Sequence, residues 1–189
     1  MKKTLTEIGI KHITDKATYH LFTDFYESEF TKCNFVPKDI LEIGIFTGRS
    51  LLMWKEFFPD SNIEGIDIVF MAGVEKLMKE NSIKIYLEDA TKFVPDNKMY
   101  DLIIDDGSHL NSHQQKSFEL YYPLVKEGGI YVIEDLHTSF MGFFKDTEVT
   151  TYDWLKSRTD LNFTIWENEH KGEWREYRSI TSIIKKPKI

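Results

Sequence analysis

Two pairs of acids, Asp105–Asp106 and Glu134–Asp135, close the two most apolar runs of the chain, "YDLIID" and "IYVIED". If those runs are neighbouring strands, their ends lie roughly 4.8 Å apart in the hydrogen-bonding direction. Carboxylates that close repel one another and take up protons unless a cation neutralises them. Oxygen ligands alone suit a hard divalent ion such as Mg²⁺, which leaves Asp106, Glu134 and Asp135 as candidate metal ligands. A plainer account serves any one of these acids as well, namely a cap on the following turn or helix, or a solvated strand end. His109 follows Asp106 in the same loop, with His113, Gln114 and His137 near it in sequence. Taken alone it is a loop or capping histidine. Beside a metal it is a candidate general base, because a neutral imidazole can take a hydroxyl proton near pH 7 while the metal lowers the hydroxyl pKa.

A second chemical feature sits earlier, in "LEIGIFTGRS" (41–50). Gly44 and Gly48 allow a ligand to approach the backbone, and a helix beginning at Ser50 offers free N–H groups. The spacing is not that of a nicotinamide-binding G-x-G-x-x-G loop, and no Gly-Lys-Ser/Thr of a Walker A loop follows. A simple tight turn explains the two glycines equally well. Asp67 and Asp89, however, close the next two apolar runs, where acids can meet a ribose diol and an adenine edge. This pattern fits S-adenosylmethionine, which has no pyrophosphate to cradle. The expected cofactor set is Glu42, Gly44, Gly48, Ser50, Asp67, Asp89, Ala90 and Asp105.

The elements that must hold these residues alternate along the chain. Strands are predicted at 39–45, 63–69, 83–89, 100–105 and 130–135, and helices at 49–58, 72–81 and 112–127. The segment after the third strand reads as a weak short helix or a loop. Apolar strands alternating with amphipathic helices predict a parallel sheet with helices on both faces. A helix at 150–158 and strands at 162–170 and 175–186 follow. The short connection containing Gly172 between the last two has hairpin spacing, which predicts an antiparallel ending. The predicted class is α/β: a Rossmann-like class I methyltransferase fold of seven strands, mostly parallel, with an antiparallel C-terminal hairpin. One domain over 1–189 is expected, its residues 1–38 forming a helical cap with an amphipathic helix at 15–30.

The stretch "DLIIDDGSH" with "YVIED", preceded by "LEIG" and "TDKATYHLFTDFYE", resembles the metal-dependent sugar O-methyltransferases of the mycinamicin type. Rhamnosyl O-methyltransferases and cephalosporin-hydroxylase-like proteins share the pattern. The similarity covers roughly residues 12 to 140 and implies S-adenosylmethionine and Mg²⁺ as cofactors. It implies Asp106, Glu134 and Asp135 as metal ligands, His109 as general base, and Lys16 and Tyr26 as closing the cofactor site. The implied reaction is methylation of a sugar hydroxyl on a natural product or surface polysaccharide. A catechol-like or other small hydroxylated acceptor is the alternative enzyme reading, and a non-catalytic cofactor-binding partner protein is the alternative from another class. Phe140, Phe143 and Phe144 are candidates for an apolar lid over the acceptor, or for core or an oligomer contact.

Composition narrows the remainder. Lys+Arg 24 against Asp+Glu 31 gives net charge -7, which disfavours tracking of nucleic-acid phosphates. The N-terminus lacks the apolar core of a signal peptide, and no apolar run reaches membrane-spanning length. Cys33 is the one cysteine, so no internal disulfide forms. A cytoplasmic protein is expected, with a small-molecule or glycoside substrate, no nucleic-acid or membrane partner, and a homo-oligomer left open.

Overall fold

The computed structural model describes residues 3–95, 98–171 and 176–188. Seven strands form one sheet: β1 (Asp39–Ile43), β2 (Asn62–Asp67), β3 (Lys84–Leu87), β4 (Tyr100–Asp105), β5 (Val125–Ile133), β6 (Asn162–Lys171) and β7 (Glu176–Lys185). Their order is β3-β2-β1-β4-β5-β7-β6. Pairing is parallel from β3 through β5, and β7 runs antiparallel to both β5 and β6. The predicted class I methyltransferase sheet with its closing hairpin is the fold observed. The Gly172 connection lies outside the described residues.

Apolar residues occupy successive strand positions because both faces are covered. Ile40, Leu102, Ile104, Ile130 and Val132 point into one core with Phe22, Tyr26 and Trp54. Their neighbours Leu41, Ile43, Ile103, Tyr131 and Ile133 point into a second core with Phe118, Tyr121 and Leu155. This is the period-two alternation of a pleated strand, with both sides buried. The first face is covered by α1 (Leu5–His12), α3 (Phe22–Lys32), α4 (Arg49–Phe57) and α5 (Val74–Glu80); the second by α6 (Asn111–Tyr121) and α7 (Thr151–Ser157).

Three elements differ from the sequence expectation. The cap helix predicted over 15–30 is split into α2 (Asp15–Thr18) and α3, with Leu21 between them at φ 59°. A left-handed residue cannot continue a right-handed helix, and α3 turns to lay Phe22, Phe25 and Tyr26 on the core. The helix predicted to run to 127 stops at Tyr121; Pro123 turns the chain through a 3-10 segment, and Gly128–Gly129 lie inside β5 rather than ending the helix. Helix α1 went unread, although Thr4 and Glu7 form a capping box at its start. After β3 the described residues form a turn and no helix. Among the described residues, no helix is long and apolar enough to cross a membrane.

The sheet brings two loops into backbone contact. Gly44, at φ +81°, follows β1, and a Cβ built there would stand 2.0 Å from the carbonyl oxygen of Asp106 after β4. The glycine is therefore required by the packing of one loop on another. Gly44→Ala combines that clash with an unfavourable φ, and unfolding in urea should show a loss of about 1–3 kcal/mol or more.

Candidate active site

The parallel strands β1 to β5 end along one edge, and the residues predicted to do chemistry gather there. A cavity of about 550 Å³ is lined by Gly44, Asp67, Asp89, Ala90, Asp105, Asp106, His109, Gln114 and Asp135. A cleft at the carboxyl ends of parallel strands is where open α/β sheets bind ligands. A smaller cavity of about 350 Å³ adjoins it on the far side of Gly44 and Phe46 and is lined by Thr14, Asp15, Arg49 and Ser50. Asp15 and Arg49 were not among the predicted residues. Each is an ordinary surface charge in sequence, and only the placement of α2 over the first loop brings them together.

Each acid on the rim is fixed by its own loop. Asp67 Oδ2 accepts the N–H groups of Ile45 and Phe46, both at 2.9 Å, and so pins the first loop to the end of β2. Asp89 accepts from Lys92 and from the hydroxyl and N–H of Thr91, and these contacts hold its carboxyl well below the usual range. Asp105 is buried; burial, reinforced by the neighbouring Asp106, pushes its carboxyl up to about 7. Its oxygens face the Gly107 N–H and the Tyr131 hydroxyl, both at 3.4 Å.

At the centre, Asp106, His109 and Asp135 each turn one donor atom into a common space, all within 4.8 Å of one another. His109 Nε2 lies 3.5 Å from Asp135 Oδ2. His109 Nδ1 and Asp135 Oδ1 are buried without a hydrogen-bond partner. Burial lowers the His109 pKa, so the ring is neutral near pH 7. Both His109 (φ 60°) and Asp135 (φ 55°) have left-handed backbones, which turn their side chains inward from the strand ends. His20, missed in the sequence reading, donates or accepts at Ser179 Oγ (2.9 Å) and stands 3.6 Å from Asp135 Oδ1. Its burial drives its pKa down to about 3.

Several other predicted residues do not line this cavity. Glu134, proposed from sequence as a metal ligand, is buried, and its oxygens accept from Lys16 at 2.7 Å and Tyr26 at 2.8 Å. Lys16 is fully enclosed and lines neither cavity. Glu42 is likewise enclosed and accepts from Ser50 Oγ at 2.5 Å and Trp54 Nε1 at 2.7 Å. Gly48, at φ +72°, precedes α4, and a Cβ there would meet Met78 on α5 at 2.6 Å. Phe144 stands beside His109 with ring centroids 6.4 Å apart, whereas Phe143, in the same segment, is 85% exposed.

No protein-family model matches the chain. Among curated proteins it is 34% identical over 183 residues to an 8-demethyl-8-(2-methoxy-alpha-L-rhamnosyl)-tetracenomycin-C 3'-O-methyltransferase of Streptomyces olivaceus, covering 90% of this chain and 46% of that enzyme. It is 35% identical over 153 residues to the mycinamicin VI 2''-O-methyltransferase of Micromonospora griseorubida, covering 74% of this chain and 37% of the relative. The chain is a homologue of the sugar O-methyltransferases. It spans about half the length of the curated relatives it matches. Among solved structures, the MycE methyltransferase of the mycinamycin biosynthetic pathway, in complex with Mg, SAH and mycinamycin VI, superposes with a TM-score of 0.75 at 28% identity, covering 98% of this chain and 55% of that one.

Asp105 gives this site a pH signature. The unfolded chain releases the Asp105 proton near 3.8, while the folded protein keeps it to about 7. The unfolded state therefore binds fewer protons between those values, and stability falls as pH rises through that window, levelling above it. Asp105→Asn removes this dependence. In EDTA, the melting temperature of the variant relative to the parent should climb from pH 4 to 7 and then stay constant; a difference that does not vary with pH would contradict the assignment.

Proposed function

We propose that this protein is an S-adenosylmethionine-dependent, Mg²⁺-assisted O-methyltransferase acting on a sugar hydroxyl of a natural product or surface polysaccharide. The observation that carries this reading is the convergence of Asp106, His109 and Asp135 on one cavity with Gly44, Asp67 and Asp89. The homologous enzymes named above methylate sugar-bearing natural products, and the MycE complex contains Mg and SAH.

The residues suit both groups. Asp67 and Asp89 are acids at successive strand ends on the cavity wall, where a nucleoside's ribose and base edge can be met. Asp106 and Asp135 supply hard oxygen donors, and the buried unpartnered Asp135 Oδ1 is an acceptor with unmet demand, as expected of a cation site. When bound, S-adenosylmethionine supplies an electrophilic methyl group and Mg²⁺ lowers the pKa of the acceptor hydroxyl.

The chain's own residues do the remainder. Asp106 and Asp135, with Glu134 as the family resemblance implies, would hold the ion beside the acceptor hydroxyl. His109, neutral at working pH, accepts the hydroxyl proton at Nε2 as the oxygen is methylated, and Asp135 Oδ2 beside that nitrogen favours the imidazolium that results. Phe144 gives His109 an apolar neighbour.

Binding and turnover test this directly. S-adenosylhomocysteine should bind in calorimetry and raise the melting temperature, and NAD should do neither. Methylation of a glycoside panel, read by intact mass, should stop in EDTA and resume with Mg²⁺; full turnover in metal-free buffer would remove the ion from the scheme. His109→Asn keeps a residue tolerant of the left-handed backbone while deleting the base. It should lower kcat by about 10²–10⁴-fold with S-adenosylhomocysteine affinity unchanged. A variant with parental kcat near neutral pH would leave the ion as sole activator.

A further inference from the structure

Neither the metal nor the acceptor hydroxyl accounts for the smaller cavity on the far side of Gly44 and Phe46. It measures about 350 Å³ and shares Asp15, Gly44, Phe46 and Asp106 with the larger one, so the two meet over the first loop. Its walls carry two opposite charges, Asp15 at the start of α2 and Arg49 at the start of α4. These charges are not spent on each other or on neighbours. Among the described residues neither side chain forms an ion pair, and the Arg49 guanidinium makes no hydrogen bond. Asp15 accepts the Lys16 N–H at 3.0 Å and faces the Thr14 hydroxyl at 3.4 Å, both through Oδ1. Its Oδ2 is left for another donor.

We infer that this cavity seats the amino-acid end of S-adenosylmethionine, with Arg49 taking the α-carboxylate and Asp15 the α-ammonium. The inference rests on the proposed cofactor and deepens it. A sulfonium carries three carbon substituents that diverge from sulfur. One is the adenosine, whose ribose and base edge fall to Asp67 and Asp89 on the wall of the larger cavity. Another is the methyl group, which must face the acceptor beside Asp106 and His109. The third is a short arm ending in a carboxylate and an ammonium on one carbon, and it needs a direction of its own. The smaller cavity supplies that direction, since it begins at Gly44 and Asp106, which line both cavities. Charge points the same way. A guanidinium meets a carboxylate through two parallel N–H donors, and a carboxylate accepts from an ammonium. A zwitterion therefore uses both walls at once, whereas the phosphates of a dinucleotide would be repelled by Asp15.

Three ligands separate the two contacts. S-adenosylhomocysteine carries both charges, its decarboxylated analogue keeps the ammonium alone, and methylthioadenosine has neither. Calorimetry near neutral pH measures each ligand against the parent, Arg49→Met and Asp15→Asn, with the melting temperatures of the free proteins showing that both variants fold. Arg49→Met should bind S-adenosylhomocysteine about tenfold more weakly and the other two within about twofold of the parent, a modest loss because the guanidinium is exposed. Asp15→Asn should weaken S-adenosylhomocysteine and the decarboxylated analogue alike, and leave methylthioadenosine at its parental affinity. Parental affinity for S-adenosylhomocysteine in both variants would overturn the inference and leave the cofactor reading intact. An equal loss for all three ligands would overturn it as well, because it marks a general disturbance of the first loop. A parent that binds neither S-adenosylhomocysteine nor methylthioadenosine would reject the cofactor reading itself, and this inference with it.

Discussion

Electrostatic repulsion among the acids that five parallel strands bring to one sheet edge is the constraint on which the rest of the site depends. Glu42, Asp105, Asp106, Glu134 and Asp135 all belong to β1, β4, β5 or the residues directly after them, and four of the five are buried. Each meets the problem in a different way. Glu42 accepts two neutral donors, Ser50 and Trp54; Asp105 keeps its proton to about 7; Glu134 is paired with Lys16. Asp135 alone retains a buried oxygen with no hydrogen bond among these five. An unmet acceptor in a low-dielectric site is costly, and a bound cation would relieve that cost.

The N-terminal helices are part of this solution and not an appendage. Lys16 from α2 and Tyr26 from α3 reach the same carboxylate, Glu134, from two directions. Tyr26 also belongs to the aromatic cluster with Phe22, Phe30 and Trp54 that seats α3 on the sheet. The break at Leu21 lets both contacts form, since one straight helix over 15–30 would fix Lys16 and Tyr26 on a single rigid axis. Packing and charge pairing therefore support each other, and the cap is held by the site as much as it covers it.

Backbone geometry concentrates at the same edge. Gly44, Phe46, His109 and Asp135 all have positive φ, three of them residues for which that conformation is uncommon. Such conformations persist where surrounding structure over-determines them, and they gather at functional sites. Here Asp67 fixes Phe46 through its N–H, and Thr138 ties the two loops together: its N–H donates to the Asp135 carbonyl, and its single hydroxyl proton lies between the His109 and Asp135 carbonyls. The protein's own contacts thus hold these loops.

The sheet was legible in the sequence because its signals are local. Apolar strand runs alternate with amphipathic helices, and each strand's closing acid stands beside the run that it ends, so Asp67, Asp89, Asp105 and Asp106 could be placed on one edge from strand order alone. The α1 capping box was equally local and could have been read from Thr4 and Glu7. The helix boundary at Tyr121 was harder, since "YYPLVKEGG" carries both a proline stop and a glycine pair, and only the pairing of Val125 with Tyr100 shows that the glycines belong to a strand. What sequence could not decide was how the acids divide their roles. Lys16 and Glu134 are 118 residues apart, and no periodicity links them. Glu134 and Asp135 are adjacent in the chain, yet the left-handed turn at Asp135 sends one carboxylate into the interior toward Lys16 and the other into the cavity beside His109. Residue type and spacing bring carboxylates to a strand end; which of them meets a lysine and which meets a ligand depends on long-range packing, because that alone determines where the counter-charge lies.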